Sequence, residues 1–210
     1  MILIGQYDSP FVRRVAIAMH IYGIAYDHRP WPVFGDAERI AAYNPLRRVP
    51  TLVLDDGEVL IESAAILDYL DETVGPSRAL MPEHGPARRQ ALKVCALATG
   101  LGDKAVSLVY ERVLHEQTSP AWIARCELQI ASVLDALEAE RAVRVTPFWF
   151  RESLSHAGIA VACVLRFATE AHPGIFSAAR WPQLAAHAAR CEALEPFGAI
   201  VQPFCPPKGK

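Results

Sequence analysis

The chain of 210 residues lacks most of what marks an exported, membrane-bound or nucleic-acid-binding protein. Its five cysteines, Cys95, Cys126, Cys163, Cys191 and Cys205, are odd in number, widely spaced and absent from the first 94 residues. No Cys-x-x-Cys pair occurs, so disulfide staples are not expected and a reducing compartment fits better. The start, Met1-Ile2-Leu3-Ile4-Gly5-Gln6-Tyr7, has neither the charged segment nor the apolar stretch of a signal peptide. No apolar run is long enough to span a bilayer. A cytoplasmic location and no membrane partner are expected. Charge of one sign is also scarce: 21 Lys and Arg against 23 Asp and Glu leave a formal net charge of −2, mixed along the chain. Nucleic acid is therefore not an expected partner. The seven histidines show no ligand spacing, so no metal is expected. A P-loop and a Gly-x-Ser-x-Gly elbow are both missing. Gly100-Leu101-Gly102-Asp103-Lys104-Ala105 imitates a dinucleotide fingerprint, but no strand precedes it and it lies within a helical pattern.

What is present is a globular composition, 52% hydrophobic and 21% charged, in two halves of different texture. Residues 1–75 alternate short strand-like runs with helical stretches. Residues 87–210 are rich in alanine, leucine and arginine at helical spacing. The segment 76–86 between them, which follows Gly75, carries three prolines and Gly85 and reads as a linker. In the first half Ile2–Gly5 is an apolar strand. Ser9 then takes an N-cap position ahead of Pro10, and Phe11, Val15, Ala18, Met19 and Tyr22 repeat at helical spacing up to Gly23. Strands follow at Ala25–Arg29, Thr51–Asp55 and Glu58–Ile61, with a short helix at Asp36–Ala42. Asp56-Gly57 makes the hairpin turn, and Ser63 begins another helix. The order βαβ, α, ββα is that of a thioredoxin-like domain. The second half reads as helices: Arg88 to about His115, one capped by Ser119-Pro120, a nearly all-apolar one at Ser155–Phe167, and a last one from Trp181-Pro182. The tail from Pro203 to Lys210 reads as loose.

Three stretches carry chemistry. Val49-Pro50 opens a strand after a loop; a cis bond there would turn the Val49 N–H and C=O outward to pair with an extended peptide, while an ordinary trans proline is as compatible with the sequence. Glu62-Ser63 stands at a helix N-terminus, which can hold a carboxylate while Glu62 meets an ammonium; a plain serine cap is the alternative. Ser9 lies where a helix N-terminus and a hydroxyl together lower a thiol pKa. A free thiol titrates at about 8.5, and one hydrogen bond to the charged form contributes roughly 1.5–3 kcal/mol, about 1–2 pKa units.

On Ser9-Pro10-Phe11, Asn44-Pro45-Leu46-Arg47-Arg48-Val49-Pro50 and Glu62-Ser63, the chain resembles the glutathione transferase superfamily over essentially its whole length, most closely its bacterial, serine-type members. The resemblance implies an α/β thioredoxin-like N-terminal domain followed by an all-α C-terminal domain. It implies glutathione as co-substrate, Ser9 as the thiol-activating residue, and Val49 pairing with the cysteinyl backbone before cis-Pro50. Glu62 and Ser63 would hold the γ-glutamyl end and Arg48 the glycyl carboxylate, with Phe11 beside them and Arg47 a weaker candidate. A detoxifying transferase acting on a small apolar electrophile, as a homodimer, is the implied activity. A non-catalytic regulatory relative, or a glutathione-assisted isomerase or dehalogenase, is the alternative. Asp103, Val106, Tyr110 and the loop Trp31-Pro32-Val33-Phe34 are candidates for the electrophile pocket, or plain core and surface. Tyr7 is a reserve for Ser9. One departure stands out: Ser155-His156-Ala157-Gly158 has lost the aspartate that relatives place at the fourth position, removing a reciprocal cap with an expected cost of about 0.5–2 kcal/mol.

Overall fold

A computed structural model describes residues 1–207. Four short strands form one sheet: β1 (Ile2–Ile4), β2 (Asp27–Arg29), β3 (Thr51–Val53) and β4 (Val59–Ile61), in the order β2-β1-β3-β4. β1 runs parallel to β2 and antiparallel to β3, with Leu3 opposite both His28 and Leu52. Each strand is shorter than the sequence reading, because pairing ends where the chain turns away into loops. Helix α1 (Pro10–Tyr22) connects β1 to β2, α2 (Ala37–Ala41) follows β2, and α3 (Ser63–Val74) follows the hairpin. This is the thioredoxin-like arrangement, and an all-helical part follows it.

The helical part comprises α4 (Gly85–Leu114), α5 (Pro120–Ala142), α6 (His156–Ala171), α7 (Pro182–Glu192) and α8 (Glu195–Ala199). Helix α4 begins inside the stretch read as linker, and α8 was not expected from the sequence. The all-apolar helix is indeed central: α6 packs on α4, α1 and α7, and is buried from His156 through Leu165. Its neighbour α1 is buried on almost every side, since the sheet covers one face and α6 the other.

Ser63 begins α3 as expected; the alternative of a plain serine cap does not form, because the cap position belongs to Glu62, whose φ is 66°. One sequence expectation changes. The tail up to residue 207 has no helix or strand, yet it is not loose: Phe204 packs edge-on against Phe167, and its N–H donates to Glu170 at 2.8 Å. The Cys205 N–H donates to Asp8 at 3.0 Å, so this segment lies across the start of α1. Residues 208–210 of that expectation fall outside the described residues.

The missing aspartate also has a structural counterpart. Ser155 still caps α6, accepting from the Gly158 N–H at 3.3 Å. A Cβ at Gly158 would lie 3.1 Å from Cε1 of His187, whose Nε2 is 3.0 Å from the Gly158 carbonyl oxygen. The space beside residue 158 belongs to a buried imidazole from α7. The carboxylate at this end of α6 comes instead from α3: Asp71 lies 2.9 Å from His156 and also accepts from the Met81 N–H at 3.1 Å and from Tyr22.

Candidate functional site

The start of α1 forms as its residues dictate. The Ser9 Oγ accepts from the Val12 N–H at 3.4 Å, and Pro10 sits where a missing N–H costs nothing. Because the oxygen accepts, the hydroxyl hydrogen remains able to donate. The loop before β3 arrives alongside, with Val49-Pro50 in the cis form. Asn44 shapes it: its Nδ2 donates to the Arg48 carbonyl at 2.9 Å and to Thr51 at 3.1 Å, while its Oδ1 accepts from the Leu46 N–H at 3.0 Å. In the sequence Asn44 stands only as the first residue of the stretch that ends in Val49-Pro50, and this role is not signalled. Gly5 lets the two segments close up. A side chain there would meet Val12 at 2.6 Å and Val49 at 2.7 Å, and its φ of 127° suits glycine.

These segments line a cleft of about 770 Å³ between the sheet domain and α4. Ser9, Phe11, Arg48 and Val49 face it, together with Arg47. The four residues of the Trp31-Pro32-Val33-Phe34 loop do so as well, and α4 presents Asp103, Val106 and Tyr110. Phe11 reaches across to α4 because Gly102 leaves room: a Cβ there would lie 3.2 Å from the Phe11 ring. Phe34 and Tyr110 meet edge to face at 5.0 Å between centroids, so an N-terminal loop and a C-terminal helix touch over the cleft. Trp31 is steadied by Arg39, whose guanidinium carbon lies 4.2 Å from its ring centroid.

The other candidates stand beside the cleft. Pro50 and Ser63 are buried, and Glu62 is exposed. Arg48 links them to it, lying 3.5 Å from Glu62 and 3.7 Å from Asp103. Arg48 thus rests between the carboxylates of Glu62 and Asp103. Tyr7 is not brought in. Its ring stacks on His28 at 3.9 Å and its hydroxyl pairs with Tyr26 at 2.8 Å. Burial pushes that phenol above its ordinary pKa, so it stays protonated.

Four contributing residues were not foreseen. Asp8, next to Ser9, faces the cleft; burial raises its pKa despite the Cys205 and Ser9 N–H groups that lower it. Phe204 and Pro207 line the cleft from the tail. Arg13, one turn after Ser9 and 2% exposed, grips Glu192 at 2.6 and 2.8 Å and donates to the carbonyls of Ile200 and Phe197. No sequence motif signals Arg13, because its partner lies far along the chain. Among the described residues no cluster of metal-ligating side chains occurs and no helix is long and apolar enough to cross a membrane.

An ionisable sulfur placed at Ser9 would meet one hydroxyl donor and the N-terminal amides of α1, while an extended peptide backbone could pair with Val49. Residues 3–78 match the family model of the glutathione S-transferase N-terminal domain, and residues 120–190 that of the C-terminal domain. The chain is similar to the uncharacterized GST-like protein YibF of Escherichia coli (strain K12), with 30% identity over 168 residues, 80% of this chain and 81% of that one. A glutathione S-transferase of Methylobacterium radiotolerans, solved in complex with glutathione sulfonate, superposes with a TM-score of 0.89 at 27% identity, covering 97% of this chain and 95% of that chain. A glutathione transferase family member from Pseudomonas fluorescens Pf-5, with bound glutathione, gives 0.83 at 31% identity, covering 97% and 99%.

Proposed function

The chain belongs to the glutathione S-transferase superfamily, and on that footing we propose that it binds glutathione at Ser9 and Val49 and activates the thiol for attack on a small apolar electrophile. The observation that carries this reading is the Ser9 hydroxyl at the head of α1, facing the cleft and beside the cis Val49-Pro50 loop.

In this reading the Val49 N–H and C=O pair with the cysteinyl residue of glutathione and set its sulfur toward Ser9. The Ser9 hydroxyl donates to the sulfur, and the dipole of α1 adds to it. Together these favour the thiolate by the 1–2 pKa units that one charged hydrogen bond supplies. Glu62 and the Ser63 N–H and hydroxyl receive the γ-glutamyl group. Arg48 turns from Glu62 and Asp103 toward the glycyl carboxylate. Both of its present ion pairs are half exposed and long, so breaking them costs only about 0–1 kcal/mol each. With an aryl halide in the cleft, the sulfur–carbon bond forms as the halide leaves with its bonding electron pair. The aromatic walls from Phe34, Tyr110 and Phe167 suit an apolar ring. A homodimer, a cytoplasmic location and a detoxifying role accompany this reading as expectations from the resemblance. The aryl-halide conjugation rate, compared with Ser9→Ala, tests it: a loss of about 10- to 100-fold is expected. An unchanged rate removes Ser9 from its role.

One observation favours a second reading, a glutathione-binding protein with little turnover. Asp8 faces the same cleft one residue from Ser9, and a carboxylate there opposes a thiolate. Retention of glutathione without measurable conjugation of any electrophile would favour this alternative.

A further inference from the structure

Arg14 follows Arg13 on α1, one turn on from Phe11, and does not line the glutathione cleft. It is 3% exposed, and its Nε and Nη1 have no hydrogen-bond partner. A buried guanidinium without a counter-charge is costly, and such groups are normally paired. Arg14 borders a second cavity, of about 60 Å³, between α1, α3, α4 and the start of α6. A water needs about 10–15 Å³ of such space, so this cavity holds more than one small molecule.

The acids around it are already engaged. Asp71 accepts from the Leu80 and Met81 N–H groups and from Tyr22, and pairs with His156. Asp68 pairs with Arg88 at 3.0 Å. Glu62, the acid whose charge reaches Arg14, is exposed and makes no hydrogen bond or ion pair with it. Two thiols also lie within reach of the Arg14 charge, but burial pushes Cys95 up to about 11 and Cys163 up to about 12, so neither supplies a thiolate near neutrality. His156 borders the cavity too, and its Nδ1 is unpartnered. That atom needs a donor, which a water sharing the space supplies.

We propose that this cavity is a binding site for a small monovalent anion, halide or carboxylate in size, held by the Arg14 guanidinium at the junction of α1, α3, α4 and α6. The bound anion neutralises Arg14 and ties the sheet domain to the helical one. Nothing in the proposal depends on glutathione chemistry.

The test is thermal stability at fixed total salt, with chloride or formate replacing gluconate, for the full chain and for Arg14→Met. Above its Kd, each tenfold rise in the binding anion should raise the melting temperature of the unmodified protein by about 3–5 °C. Arg14→Met should lack that response. The chloride and formate arms tell a halide site from a carboxylate site. Crystals grown with bromide give a second readout that needs no variant: anomalous density against the Arg14 guanidinium is expected. An identical salt response in both proteins overturns the proposal. So does a cavity filled by waters alone, by a side chain of a second copy, or by an adventitious ion only, seen in the crystal without a matching solution effect.

Discussion

At the scale of single residues, the site depends on a few side chains whose neighbours pull in opposite directions. Ser9 offers a donor to a sulfur anion, and Asp8 beside it offers a like charge. Burial already raises the Asp8 pKa, the response of a carboxyl that is short of water. Asp8→Asn should therefore lower the pKa of bound glutathione, by about 0.5–1 unit, the size of a Coulomb interaction of about 1 kcal/mol. Titrating the thiolate absorbance in the two proteins checks this; an unchanged or higher value would show that Asp8 does not feel the sulfur. Glu62 shows a different tension. Its φ of 66° is strained for any residue with a Cβ, and the strain lies at a proposed ligand contact. Glu62→Gly should gain about 1 kcal/mol of stability while weakening glutathione binding about tenfold or more. Denaturant melts and calorimetric titration measure the two effects separately. Loss of both stability and binding would mean that the carboxylate holds α3 in place.

At the scale of elements, α1 carries the site and is itself held from behind. Arg13 fastens it to α7 and α8 through the partly exposed Glu192 and two buried carbonyls. Arg13→Met should cost about 3–5 kcal/mol, because it strands Glu192 near the domain junction and orphans the carbonyls. A shift of a few tenths only would show that Arg166, 3.2 Å from Glu192, takes over. Helix α7 adds a pH dependence. His187 is fully buried against Gly158, and burial lowers its pKa from 6.5 to about 4. A depressed folded pKa means that the unfolded chain binds more protons between those values. The stabilisation is full above pH 6.5 and is lost as pH falls to 4, about 3 kcal/mol in all. His187→Gln, which can still donate to the Gly158 carbonyl, should flatten that slope in melts across the range. His156 and His172 are also depressed by burial and leave a residual slope of the same sign. The elements also show what a sequence can reveal. Ser9-Pro10 and Gly23 bracket α1 because capping is local, and they were readable as such. The vacated aspartate at Gly158 was readable as a departure. Its occupant, His187, lies in another helix, and local patterns carry no record of it. Arg13 with Glu192, and Asp71 with His156, were invisible for the same reason.

For the whole molecule, the cleft exists because two differently built parts meet along α1 and α4. The sheet domain brings Ser9, Val49 and the aromatic loop; α4 brings Tyr110 and Asp103; the tail folds back with Phe204. The three stretches proposed to bind glutathione were recognisable in the sequence because each is a short run. The wall contributed by residues 204 and 207 was not, since nothing local distinguishes a docked tail from a loose one. The contact of Phe34 with Tyr110 crosses between the parts, and an aromatic pair of this kind contributes about 0.5–1.5 kcal/mol. Phe34→Ala should then raise KM for an aryl electrophile about 2- to 10-fold and leave glutathione affinity unchanged; an equal change in both would place Phe34 in the glutathione site. Everything rests on a sulfur held at the head of α1. The most direct measurement is the pKa of the thiol of glutathione bound to the protein, read from thiolate ultraviolet absorbance, before and after Ser9→Ala. The expected result is a value depressed below the roughly 8.5 of a free thiol, rising by about 1–2 units in the variant. A bound thiol that titrates at the same pH in both proteins would contradict the account.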